Sequence, residues 1–183
     1  MNPTDDTTLE KLVKPAFLII DLQVRHNNGI WHCDNGSHYD CIERIVYIAE
    51  VALDNGYPVI ASEYWSNGDK PISSVKLIPQ LDELQGIYVL RKPSISAFKD
   101  TNLKEYLISK DVDSVIIVGY HRDICVIKTI EDAYNLEFVV VSCEPLTFTS
   151  NPSSTRRKTT LEKLNEYSHH CKKYTQIMAL FSD

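Results

Sequence analysis

No stretch of this 183-residue sequence approaches the roughly 18 consecutive apolar residues that a membrane-spanning helix needs, so no membrane partner is expected. Positive charge is also scarce: 19 Lys and Arg stand against 25 Asp and Glu, a net charge of -6. Nucleic-acid binding draws on counterion release by clustered cations, and a negative chain offers no overall field for it, so no nucleic-acid partner is expected either. The local exception, Arg156-Arg157-Lys158, reads as a solvated helix face. The five cysteines (Cys33, Cys41, Cys125, Cys143, Cys171) are odd in number, widely spaced and without a CxxC pair, which argues against a disulfide framework or a structural zinc cluster. Reduced thiols in a cytoplasm fit best. Met1 to Glu10 carries Asp5, Asp6 and Glu10 ahead of any apolar run, the reverse of a secretory signal, and this too points to a cytoplasmic location. Repeats, low-complexity tracts and Gly/Ser linkers are missing as well, which leaves a single domain over residues 1–183 with 1–14 as an N-terminal extension.

What is present is a core and a regular alternation. Hydrophobic residues make up 43% of the chain and charged residues 24%, too apolar for disorder and long enough to bury a sizeable interior. Ala16 to Leu22 (AFLIIDL) is an apolar run suited to a strand buried on both faces. Asp40 can cap a helix whose stripe is Ile42, Ile45, Ala49 and Leu53, with Asp54-Asn55-Gly56 as its stop. Further strands are expected at Tyr57 to Tyr64, Gly86 to Leu90, Val112 to Gly119 and Phe138 to Ser142, with Lys173 to Ile177 a weaker sixth strand or the chain end. Helices are expected over Thr101 to Lys110, Ile124 to Asn135, and from Asn151-Pro152 to about His169. Strands and helices alternating at this spacing imply an α/β fold with a parallel sheet covered on both faces.

In such sheets ligands bind beyond the carboxyl ends of the strands. That rim collects Asp21 after the first strand, Glu63-Tyr64-Trp65 after the second, Lys92 past the third, and Cys125 in the helix after the fourth, two residues beyond an Asp123 able to cap it. A buried cysteine is commonly inert packing, whereas one in the first turn of a helix, near a lysine, has its thiolate favoured. Both readings of Cys125 stand at this point. A carboxylate inside AFLIIDL needs a cationic partner, and Lys92 could serve it structurally or catalytically. His26, His32, Cys33, His38 and His169-His170-Cys171 lack zinc-ligand spacing and read as loop and surface residues, so neither a metal nor another cofactor is expected.

The segments "FLIIDLQ", "LRKPSISAF" and "VIIVGYHRDICVIKTIEDAYN", in that order, resemble the catalytic segments of the isochorismatase-like cysteine hydrolases, which include the nicotinamidases and carbamoyl-amide hydrolases. The resemblance implies a three-layer α/β/α fold with a six-stranded parallel sheet of order 3-2-1-4-5-6. It implies Asp21 as general base, Cys125 as nucleophile and Lys92 bridging them, with the backbone N–H groups of His121 and Cys125 as an oxyanion hole and a cis peptide between Tyr120 and His121. Family members that cleave a vinyl ether usually lack the cysteine, so its presence favours amide, carbamoyl or ureido substrates. The sequence departs from the family at Arg122, where a Thr is usual; a guanidinium there binds a substrate carboxylate or points to solvent. It departs again at Glu63-Tyr64-Trp65, where the nicotinamidases carry a metal-binding Asp-x-His. Tyr64, Trp65, Tyr120 and Arg122, with Gln23 and His26 on the first loop, are the expected substrate-pocket residues; Trp65 could equally pack under the loop that follows it. A small-molecule substrate and a homo-oligomer, dimer or tetramer, are the expected partners. The alternative is a catalytically silent relative that binds a small molecule or a protein, motivated by the altered loop from Tyr120 to Arg122.

Overall fold

Pro15–Ile20 (PAFLII) is buried at every position, as a strand covered on both faces must be, and it lies at the centre of the sheet in a computed structural model. The structure describes residues 9, 12, 14–27, 32, 33, 36–65, 75–149 and 155–182. In chain order the elements are β1 (Pro15–Ile20), β2 (His32–Cys33), α1 (His38–Asp54), β3 (Val59–Tyr64), α2 (Pro79–Asp82), β4 (Tyr88–Lys92), α3 (Leu103–Ser109), β5 (Ser114–Gly119), a π-helical turn (Arg122–Val126) running into α4 (Ile127–Asn135), β6 (Val139–Thr149), α5 (Thr155–Tyr167), β7 (His169–Cys171) and α6 (Tyr174–Ala179).

Parallel pairings run β4-β3-β1-β5-β6-β7, which is the expected 3-2-1-4-5-6 order. The two-residue β2 adds an antiparallel contact to the far end of β6, pairing Cys33 with Phe148. Side chains alternate across the sheet. Phe17 and Ile19 face a layer built from Ile42, Ile45 and Ala49 of α1 and Ile177 of α6, while Leu18 and Ile20 face Leu103 and Leu107 of α3, Ile130 of α4 and Leu164 of α5. The result is an α/β/α sandwich. No helix among the described residues is long and apolar enough to cross a membrane.

Several boundaries differ from the sequence expectation. The cap of α1 is Ser37, whose hydroxyl accepts from the Asp40 N–H while the Asp40 carboxylate accepts from the Ser37 N–H, so Asp40 is the reciprocal partner of a capping box. The sixth strand is His169–Cys171, not Lys173 to Ile177, which is mostly the helix α6. The expected Asn151-Pro152 helix start lies outside the described residues.

Gly119 closes β5 with φ 108, and a side chain there would overlap the carbonyl oxygen of Ile20 on β1. That carbonyl accepts the Tyr120 N–H at 2.7 Å, so the close approach aims the chain into the turn that follows. Gly119→Ala should lower the unfolding free energy by about 3 kcal/mol, against about 1 kcal/mol for Gly56→Ala, which has φ 77 and open space around it. Urea denaturation of both variants checks this; equal losses would contradict the close β1–β5 approach.

Candidate active site

Asp21 is the first residue beyond β1 and adopts φ 51, a left-handed conformation that a short polar side chain tolerates better than most. Its N–H donates to Ser62 Oγ of β3 at 3.1 Å, and that hydroxyl donates back to Asp21 Oδ1 at 2.7 Å. The second carboxylate oxygen lies 2.9 Å from Lys92 Nζ, at the end of β4. Both side chains are out of water, Asp21 at 2% exposure and Lys92 at 0%. An ammonium has three N–H donors, and those of Lys92 meet three acceptors: Asp21, Ser94 O at 3.1 Å and Ile95 O at 2.9 Å. The ring of Tyr64 packs 4.7 Å from the same nitrogen.

Cys125 sits half-buried in the π-helical turn, close enough to Asp21, Lys92 and the His121 backbone for all three to act on its thiol. Of the two readings open for this cysteine, a lysine and a helix start speak for the thiolate; the site favours the thiol. Burial, then the negative charge of Asp21, push the thiol up to about 12, and Lys92 only partly opposes them. The physical reason is pairing: an ammonium already bound to a carboxylate projects little net field onto a third group. The peptide between Tyr120 and His121 is cis, as the resemblance implied. Thr129 Oγ1 donates to the Cys125 carbonyl at 2.7 Å and accepts the Ala97 N–H at 3.1 Å, which ties the turn to the segment after Lys92. Asp123 does not cap the helix; its carboxylate accepts the Thr149 hydroxyl at 3.0 Å and lies 3.9 Å from His121 Nδ1.

Of the expected pocket residues, Tyr64, Trp65 and His26 are partly exposed near this rim. Tyr64 flanks Lys92 directly. His26 bonds the Asp21 carbonyl through Nδ1 at 2.9 Å; a carbonyl only accepts, so Nδ1 carries the proton, and burial holds the ring below its ordinary pKa. Trp65 donates its indole N–H to Glu63 Oε2 at 3.1 Å and carries the Arg91 guanidinium over its ring at 4.9 Å.

Gln23, Tyr120 and Arg122 are corrections. All three are buried and held by structural bonds. Gln23 clamps the first loop to the end of β3 by donating to the Tyr64 and Val75 carbonyls and accepting the Tyr64 N–H. Tyr120 stacks on Phe148 at 4.3 Å and shares its hydroxyl with the His38 ring. Arg122 does not meet solvent. It turns onto β6, donating to Thr147 Oγ1 and Thr147 O at 2.8 Å each and to Glu144 O at 3.2 Å, where β6 shifts register against β5.

The metal motif of nicotinamidases does not fit here. The position that would hold the second ligand is Trp65, whose indole has no lone pair to give, and the Glu63 carboxylate already accepts from Trp65, from the Leu77 N–H at 3.2 Å and from Arg91 at 3.4 Å. Sequence reasoning missed Ser62 and Thr129. Ser62 had a usable signal, a lone hydroxyl in the otherwise apolar core of VIASEY; Thr129 reads as one more helical polar residue.

An isochorismatase-domain family model matches residues 15–171. Among curated proteins, ureidoacrylate amidohydrolase RutB of Cronobacter sakazakii is 31% identical over 77 residues, covering 42% of this chain and 33% of that protein, so the match spans a third of the relative's length. Among solved structures, an isochorismatase-like hydrolase from Alkaliphilus metalliredigens superposes with a TM-score of 0.75 at 19% identity, over 91% of this chain and 98% of that one. N-carbamoylsarcosine amidase from Thermoplasma acidophilum does so with 0.71 at 20% identity, over 87% and 96%. At these identities the structural likenesses establish the fold.

Two outcomes follow from the site's electrostatics. Iodoacetamide should alkylate Cys125 at a rate that rises about tenfold per pH unit from 7 to 10 without a plateau, because the raised thiol stays protonated across that window; a plateau near neutrality would mean that Lys92 dominates. Lys92→Met should cost about 3–5 kcal/mol by stranding Asp21, and adding Asp21→Asn should recover most of it in chemical denaturation. A small cost for the single variant would show the pair to be solvated.

Proposed function

The chain belongs to the isochorismatase family, and on that premise we propose that it is a metal-independent cysteine hydrolase cleaving the C–N bond of a small amide, carbamoyl or ureido compound. The observation that carries the reading is the buried Asp21 carboxylate, held by Lys92 at 2.9 Å, at the rim where both charges act on the Cys125 thiol. Asp21 takes the thiol proton as the sulfur attacks the carbonyl carbon. A nucleophile that rests protonated beside its base needs no free thiolate. The oxyanion that develops meets the backbone N–H groups of His121 and Cys125. The proton on Asp21 passes to the leaving nitrogen, and a thioester remains on Cys125. Water deprotonated by Asp21 then releases the acid. Lys92 holds the carboxylate in place, itself fixed by its bonds to the Ser94 and Ile95 carbonyls. The names of the relatives, a ureidoacrylate amidohydrolase and a carbamoylsarcosine amidase, support this substrate class.

The second reading, a silent relative that binds a small molecule or a protein, is favoured by the raised thiol and by the unusual Arg122. One experiment separates the two. Ammonia release is measured over a panel of small amides, carbamoyl and ureido compounds for the wild type and Cys125→Ala, with intact mass recorded on acid-quenched samples. The expected result is activity on at least one compound, a loss of about a thousandfold or more in the variant, and an acyl adduct on Cys125. Equal rates in both proteins would remove Cys125 as nucleophile, and a panel with no turnover but saturable binding would favour the silent relative.

A further inference from the structure

Four of the five thiols lie on the face of the sheet opposite the nucleophile. Cys41, Cys143 and Cys171 belong to the layer under α1 and α6, with Cys33 packed against it, whereas Cys125 packs on the layer of α3 and α4. Cys143 and Cys171 are paired in register across β6 and β7, both sealed in the core. Cys33 and Cys41 differ from that pair because one of them reaches water: Cys41 is 0% exposed in α1, while Cys33 is partly exposed on the short strand β2. Their sulfurs converge on a single oxygen, the Pro145 carbonyl, at 2.7 Å from Cys41 Sγ and 3.6 Å from Cys33 Sγ. A second convergence lies on the Ser37 carbonyl, which accepts the Cys41 N–H at 3.2 Å and stands 3.9 Å from Cys33 Sγ. The two thiols are near neighbours: after burial, Cys33 is the next influence raising the Cys41 thiol far above the ordinary range.

We propose that Cys33 and Cys41 are a redox-modification site that closes into a reversible disulfide on exposure to a hydroperoxide. Cys33, the accessible thiol, is oxidised first, and Cys41, inert to solvent behind it, resolves the product. The Cys33 sulfur attacks the terminal peroxide oxygen, the O–O bond breaks, and the thiol proton leaves with the departing oxygen as water or an alcohol. The sulfenic acid left on Cys33 is then attacked by Cys41 sulfur; the S–S bond forms, and the sulfenyl hydroxyl leaves as water with the Cys41 proton. Two thiols lose two electrons and the peroxide gains them. A dithiol reductant reverses the change by exchange at the Cys33 sulfur.

The test uses the full chain carrying Cys125→Ser, so that the rim thiol does not compete, treated with limiting hydrogen peroxide, unfolded in urea, alkylated with iodoacetamide and digested with trypsin. Both cysteines fall in one peptide, His26 to Arg44. The expected product is that peptide without alkyl groups and two hydrogens lighter than its reduced form, converted by dithiothreitol into the doubly alkylated peptide. Cys33→Ser should abolish it and leave Cys41 fully alkylated, while Cys143→Ser should not affect it. Over-oxidised Cys33 beside an alkylated Cys41, or Cys33 linked between two molecules, would overturn the proposal.

Discussion

The buried contact between Asp21 and Lys92 is the constraint around which the rim is organised. Removing two opposite charges from water is unfavourable unless their remaining lone pairs and protons are also satisfied. Ser62 supplies the carboxylate's second bond, and the Ser94 and Ile95 carbonyls supply those of the ammonium, so the chain after β4 must fold back over the lysine. The same contact sets the state of the sulfur. A lone ammonium would draw the thiol toward ionisation; one neutralised by a carboxylate leaves burial in control, and the proton remains on Cys125.

The architecture was legible because it is written in hydrophobic periodicity. Runs such as PAFLII and SVIIVG have no polar residue to spare for water, and strands buried on both faces need none. The misplaced sixth strand shows where that signal ends. His169–Cys171 has only three residues, two of them histidines, and it is a strand because β6 offers it a ladder and Ser142 bonds the His170 ring at 2.7 Å. Tyr174–Ala179 opens with two residues of β propensity, Tyr174 and Thr175, but is held in a helix by packing of Ile177 into the core. Both are decided by contacts from distant parts of the chain, as context overrides local propensity.

The site was legible to the level of strand ends and no further. Asp21, Lys92 and Cys125 could be assigned to one rim because each follows a strand, and a strand's end fixes position. Direction is another matter. Arg122 sits three residues from the sulfur, yet its guanidinium runs to the carbonyls of β6, because a register shift between Ile117 and Gly119 leaves oxygens there that need donors. Tyr120 likewise turns inward onto Phe148, an aromatic surface contributed by a strand far along the chain. Nothing local to GYHRDIC encodes either partner.

The three groups of the rim do not rest on equally secure ground. Asp21 and Cys125 follow strands in the middle of the sheet, but Lys92 ends β4, which among the described residues pairs with β3 alone and has Val89 and Arg91 open to water. Margins of sheets breathe more readily than their centres. An excursion of β4 would withdraw the cation while base and sulfur stayed in place, so amide exchange along that strand and the making and breaking of the buried ion pair belong to one equilibrium.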